Sequence, residues 1–212
     1  NLNLGILYFN NEEFQSAIEP LKEYILYNMQ DWNILENYGQ ALLKTNRFPE
    51  AIDIYSRLID EYPDNSEYYF NLADSYYNLS DYSNAIENYK KILIFEDENY
   101  IVLLKIGILL NQLNKFNEAE KYLNDAIHCG NPNKELLIQL GMSYGGQQKF
   151  LQSLGAFKEA LSLSLNDPII HYQLGIIYKE LEIYNLAIEE FNQYLTKNSN
   201  DYIAYYLIGN SY

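Results

Sequence analysis

Apolar residues recur along this chain at helical spacing, and the helices they predict come in pairs that repeat. Within 66–99, Tyr69, Leu72, Ala73 and Tyr76 fall at i, i+3, i+4 and i+7, one stripe of an amphipathic helix A. Ala85, Ile86, Tyr89 and Ile92 make a second stripe for a helix B, and the polar Ser80 and Asp81 between them suit a short turn. The same columns reappear every 34 residues. A small residue stands at Gly5, Gly39, Ala73, Gly107, Gly141, Gly175 and Gly209. Alanine stands at Ala17, Ala51, Ala85, Ala119 and Ala187, with Ser153 the one departure, and an aromatic ring at Phe14, Phe48, Tyr82, Phe116, Phe150 and Tyr184. With no insertion between units, the frames are 1–31 (lacking its first residues), 32–65, 66–99, 100–133, 134–167, 168–201 and a partial helix A over 202–212. Internal repetition therefore decides the fold class: a single all-α array of helix pairs.

The geometry explains the residue types. Two helices approach closely only where something small lies at their crossing, which assigns the Gly5 column to helix A and the Ala17 column to helix B. Tyr76, Tyr178, Phe157 and Phe191 fill the space beside the crossings. Pro49 falls where a helix B begins, a position with no hydrogen bond to lose, and Pro63 and Pro168 fall near unit junctions. The fifth unit departs most. Ser153 replaces alanine, and Gly145, Gly146 and Gly155 each cost about 0.5–1 kcal/mol against alanine inside a helix, which leaves two readings of the unit, ordinary drift of the repeat or a hinge.

The pattern L-G-x-x-Y at Leu174, Gly175 and Tyr178, followed by A-x-x-x-F at Ala187 and Phe191 on a period of 34, resembles the tetratricopeptide repeat (TPR) family. The resemblance covers essentially the whole chain. It implies a right-handed superhelical α-solenoid of antiparallel helix pairs, acting as a non-catalytic protein-protein interaction scaffold. It also implies that the second, fifth and ninth positions of helix A, about 140 degrees from the core stripe, together with the twelfth and thirteenth, line a concave groove for a peptide or helix of a protein partner. The second, fifth and ninth positions are Asn33, Glu36 and Gln40, then Glu67, Phe70 and Asp74, then Ile101, Leu104 and Ile108, then Glu135, Ile138 and Met142, then Ile169, Tyr172 and Ile176. The groove is thus expected to turn from acidic to apolar along its length. Either a ligand occupies the apolar part, or neighbouring helices or another copy of the chain cover it. Some family members clamp a carboxylate terminus with Lys, Asn and Arg. Here Asn37 and Asn71 are present, but Glu36, Glu67 and Asp74 stand in place of the basic residues, which argues against that ligand.

Charge and chemistry narrow the picture by exclusion. The formal net charge is −15, from 14 basic and 29 acidic residues. Residues 1–99 carry 18 acidic and 6 basic side chains, residues 100–212 carry 11 and 8. A nucleic-acid partner needs the opposite field, whereas a basic protein partner would be drawn to the first half. No apolar run reaches the length of a membrane span, and the chain opens without a leader-like segment, so a cytoplasmic site is expected over a secreted one. The start and end inside helices suggest a piece of a longer protein.

Cys129 is the single cysteine, His128 beside it lacks ligand spacing, and the second histidine, His171, shares a packing column with Leu35, Tyr69, Leu103, Leu137 and Tyr205. Neither a metal, a cofactor nor a catalytic motif is expected. Two other functions stay open. The chain could be the substrate-recruiting arm of a larger enzyme such as a glycosyltransferase, or a homo-oligomer built through the groove or the open repeat ends.

Overall fold

The computed structural model describes residues 2–130 and 132–211; Asn1 and Tyr212, the ends of the expected array, and Asn131 lie outside the described residues. Thirteen α-helices and no strand occur among the described residues. They fall into two compact units divided between Asp97 and Glu98. The first holds α1 (Leu2–Asn10), α2 (Phe14–Tyr27), α3 (Trp32–Lys44), α4 (Phe48–Glu61), α5 (Ser66–Asn78) and α6 (Tyr82–Ile92). The second holds α7 (Tyr100–Gln112), α8 (Phe116–Cys129), α9 (Lys134–Gly146), α10 (Phe150–Leu163), α11 (Pro168–Glu180), α12 (Tyr184–Leu195) and α13 (Tyr202–Gly209). Within each unit every helix packs on the next, and in the second unit α9 also meets α7 and α11. Short connections make consecutive helices antiparallel.

Local chemistry repeats with the packing. Each helix A from α3 onward starts on an Asp or Asn whose side chain accepts a backbone N–H of the first turn: Asp31, Asn65, Asn99, Asn133, Asp167 and Asp201. Each A-to-B turn carries one residue with φ near +60°: Glu12, Asn46, Ser80, Asn114, Gln148 and Glu182. That left-handed residue lets the next N–H reach back to the last turn of helix A, as from Ile183 to the Tyr178 carbonyl at 2.8 Å.

The crossings show why the small columns are small. A methyl group added at Gly107 would meet Leu123 Cδ2 at 2.4 Å; at Gly141 it would meet the Phe157 ring at 2.8 Å, and at Gly175 the Phe191 ring at 2.6 Å. Ala17, Ala51, Ala85, Ala119, Ser153 and Ala187 are all fully buried. Gly209 sits in the same column but has open space around it.

Two expectations change. In α5 the buried residues are Tyr68, Leu72, Ala73 and Ser75, whereas Tyr69 and Tyr76 are half-buried. A helix A touches the helix before it as well as the one after, so its covered face is wider than a single stripe and turned by about a residue. Tyr69 packs on Phe95 instead.

The fifth unit, second, is knitted rather than loosened. The Ser153 hydroxyl donates to the Gly141 carbonyl at 2.7 Å. A Cβ at Gly146 would strike the Phe116 ring at 2.4 Å, and one at Gly145 would press on Ile177 at 3.3 Å. Only Gly155 of that set has open space. These departures are fitted to their neighbours, which removes the reason to read them as a hinge.

Candidate partner-binding surfaces

In the second unit the groove positions lie on α7, α9 and α11. Ile101 and Ile169, at 58% and 57% exposure, open the first turns of α7 and α11 to solvent, and Met142 is 37% exposed on α9. Leu104, Ile108, Tyr172 and Ile176 are half-buried. Glu135 is exposed and accepts from Gln139 Nε2 at 3.1 Å.

Ile138 is a correction: at 6% exposure it belongs to the core with Leu137, Phe157, Ile170 and Phe191. α9 packs on α10 and α11, and its fifth position falls within that packing. Tyr172 is also partly drawn inward, its ring 5.9 Å from Phe191 and 5.0 Å from Tyr194.

Met142 and Ile176 line one cavity of about 630 Å³, together with Phe116, Phe150, Phe157 and Asn111. Asn111 stands at the twelfth position of its unit, one that the family resemblance assigns to the groove, whereas Phe116 and Phe150 belong to the aromatic column, whose period gives no sign of a cavity.

In the first unit the acidic positions lie on α3 and α5. Glu36 is half-buried and accepts from Gln40 Nε2 at 3.4 Å and from the Tyr68 hydroxyl at 3.2 Å. Asp74 accepts a hydrogen bond from the hydroxyl of Tyr89 on α6. Phe70 lies edge-on to Tyr89 at 5.7 Å, and Glu67 is exposed.

A cavity of about 480 Å³ is lined by Gln40, Glu67, Asn71 and Asp74, with Lys44 at its wall. The phenols register this field. Burial first, then Glu36, pushes Tyr68 up to about 12. Burial, then Glu36 and Glu67, pushes Tyr55 up as well, and burial followed by the bond to Asp74 does so for Tyr89. This surface favours cations and resists anions.

Elsewhere, both ring nitrogens of His171 are engaged, Nδ1 with Glu190 Oε2 at 2.6 Å and Nε2 with the Leu165 carbonyl at 3.2 Å. The histidine is therefore a polar tie between α11, α12 and the loop before α11, more than an apolar filler. Cys129 Sγ approaches the Asp125 carbonyl. Among the described residues no group of three or more His, Cys, Asp or Glu is placed to hold a metal, and no helix is long and apolar enough to cross a membrane.

Comparison with known proteins places this architecture. A family model described as Tetratricopeptide repeat matches residues 2–66 and 138–211, more than half of the chain, and a second of the same description matches 66–93. The chain is similar to the BBSome complex member BBS4 of Bos taurus, 26% identical over 117 residues, which cover 55% of this chain and 22% of that protein. It is similar also to the peroxisomal targeting signal receptor of Candida glabrata, 29% identical over 121 residues, covering 57% of this chain and 20% of the receptor. The chain thus spans about a fifth of the length of these curated relatives. Among solved structures, YrrB, described as a TPR protein with an unusual peptide-binding site, superposes with a TM-score of 0.76 at 20% identity, over 90% of this chain and 98% of that one. At that identity the likeness speaks for the fold.

Proposed function

The chain belongs to the tetratricopeptide-repeat family, and from that premise we propose that it is a non-catalytic scaffold holding a peptide or helix of a protein partner against the helix A faces. The observation that carries this reading is the row of apolar side chains left exposed or half-buried on α7, α9 and α11, beside a cavity walled by Met142 and Ile176. Ile101 and Ile169 are more than half exposed and so add little to the core, and exposed apolar side chains of this kind suit contact with another molecule. Burying three or four of them would yield about 5–10 kcal/mol gross, from which the cost of association is subtracted, so micromolar affinity is expected. In the first unit, Glu36, Glu67 and Asp74, with Phe70 on the same helix face, provide an acidic counterpart suited to a basic partner segment. The names of the relatives, a targeting-signal receptor and a complex member, support an interaction role rather than catalysis.

The test is an affinity capture from native lysate with the parent chain and an Ile108→Glu, Met142→Glu variant whose circular dichroism melt matches the parent. Ile138 is unsuitable for this test because it is buried. A protein held by the parent and released by the variant is the expected outcome. Equal capture by both would mean that the apolar helix A face is not the binding surface.

A further inference from the structure

A second cavity of the first unit lies outside the acidic stretch of helix A positions. About 880 Å³ in volume, it opens where α2 passes into α3 and is walled by Tyr24, Tyr27, Met29, Asp31, Trp32 and Tyr62. Of the groove positions only Asn33 reaches it. The ring planes of Trp32 and Tyr62 stand at 87° with centroids 6.1 Å apart, two walls meeting at a corner, and Tyr68 braces Tyr62 at 6.3 Å. Tyr27 is 88% and Met29 57% exposed at the rim. The Tyr24 hydroxyl donates to Asp31 Oδ2 at 2.9 Å and the Ile34 N–H to Asp31 Oδ1 at 3.4 Å, so a carboxylate is fixed in the wall. Arg57 Nη2 donates to the Met29 carbonyl at 3.1 Å and holds the rim loop.

Repeat packing does not call for this set. The other residues in the column of Tyr62 are Asn28, Glu96, Gly130, Ser164 and Asn198, none with an apolar side chain, and Trp32 is the only tryptophan of the chain. An open cavity edged by four aromatic side chains and a carboxylate suits an organic cation, because ring faces carry the negative end of their quadrupole and Asp31 adds a full charge. We propose that this corner binds a trimethylated lysine side chain of a protein partner, its methyl groups against the rings of Trp32, Tyr62 and Tyr27 and Asp31 as the counter-ion.

Three comparisons select that group. A bare lysine ammonium is strongly hydrated and brings three donors, whereas both Asp31 oxygens already accept from Tyr24 and Ile34, so the carboxylate acts on a cation mainly through space. A quaternary ammonium has no N–H to satisfy, and its methyl groups pack on aromatic rings. A neutral apolar group would fill the corner but gain nothing from Asp31, or from the field of residues 1–99 with their 18 acidic and 6 basic side chains. A choline head group carries the same cation but is joined to a phosphate, which that field repels. The inference does not rest on the groove reading, and its outcome leaves that reading untouched.

As the single tryptophan, Trp32 is its own probe, since tryptophan emission from this chain reports that corner alone. The whole chain is titrated with phosphocholine and with a blocked glycine peptide carrying one central lysine in three forms: unmethylated, trimethylated, and with the quaternary nitrogen replaced by carbon. The expected result is a saturable change in Trp32 emission with the trimethylated peptide, and affinities about tenfold weaker for the other two. Tyr62→Asn, which places there the residue found at Asn28 and Asn198, should melt like the parent and lose the response. The comparison of peptides on the parent needs no variant, so a poorly folded Tyr62→Asn would not obscure it. Equal affinity for the carbon form would make the corner a plain apolar recess, and equal affinity for the unmethylated form would remove the role of the methyl groups; either overturns the proposal. So would the absence of a saturable response, undiminished binding by a folded Tyr62→Asn, or tighter binding of phosphocholine than of the trimethylated peptide, which would make the ligand a choline head group.

Discussion

At Gly107 and Gly155, the same residue does opposite work. Gly107 faces Leu123, which is fully buried and has nowhere to retreat from a Cβ at 2.4 Å. Gly107→Ala should therefore destabilise by about 1–3 kcal/mol through overpacking, despite alanine's better helix propensity. Gly155 lies in α10 with open space around it, and Gly155→Ala should stabilise by about 0.5–1 kcal/mol. Urea unfolding of the two variants beside the parent checks both signs, and two shifts of the same sign would contradict the crossing geometry. The sequence distinguished these glycines by column, since 107 is in register with Gly141 and Gly175 and 155 is not. For Gly146 it could not, because the Phe116 ring that fills its space comes from a helix 30 residues earlier.

The helices are bounded by two columns that hydrophobic periodicity does not reveal: the Asx caps before each helix A from α3 onward, and the left-handed residue in each A-to-B turn. That turn residue is never glycine here. Glu182→Gly should relieve a strained φ of +60° and stabilise by about 1 kcal/mol, read as a raised urea midpoint with unchanged slope. A lowered midpoint would show that the Glu182 side chain matters more than its backbone.

Among the caps, Asp167 joins two A helices. Burial pushes its carboxyl upward, but this is outweighed by the Lys134 ammonium at 2.7 Å and by the Ile169 and Ile170 N–H groups, which hold it below the usual aspartate range. A folded-state pKa below the unfolded one gives stability that is present above the ordinary aspartate pKa and lost as pH falls through the folded value. Asp167→Asn keeps a capping side chain but cannot ionise, so its melting temperature should fall less steeply than the parent's between pH 5 and about pH 2. Parallel curves would show that the Lys134–Asp167 pair does not contribute to acid sensitivity.

At the scale of the whole molecule, like charge works against the folded state. A net charge of −15 repels itself within the folded chain, and residues 1–99 carry most of it. Raising NaCl from about 0.02 to about 0.5 M shortens the screening length from roughly 20 Å to roughly 4 Å. The thermal midpoint should rise accordingly, while binding of a basic partner segment to the first unit should weaken. A midpoint indifferent to salt would mean that the charges are too dispersed to oppose folding.

The array, its period and the crossing residues were determined by the sequence alone, because every repeat must solve the same packing problem and so writes the same small and large residues in the same columns. Position within a column did not decide which surface residues stay available. Ile138 and Met142 both fall at groove positions, yet the first packs into the core with Phe157 and Ile170 and the second stays 37% exposed. Nor could the sequence show that the Asn111 amide donates to Gln139, since that depends on Gln139 and Glu135 being held on a neighbouring helix. Covering and hydrogen bonding are relations between segments distant in the chain, and only the tertiary structure brings those segments together.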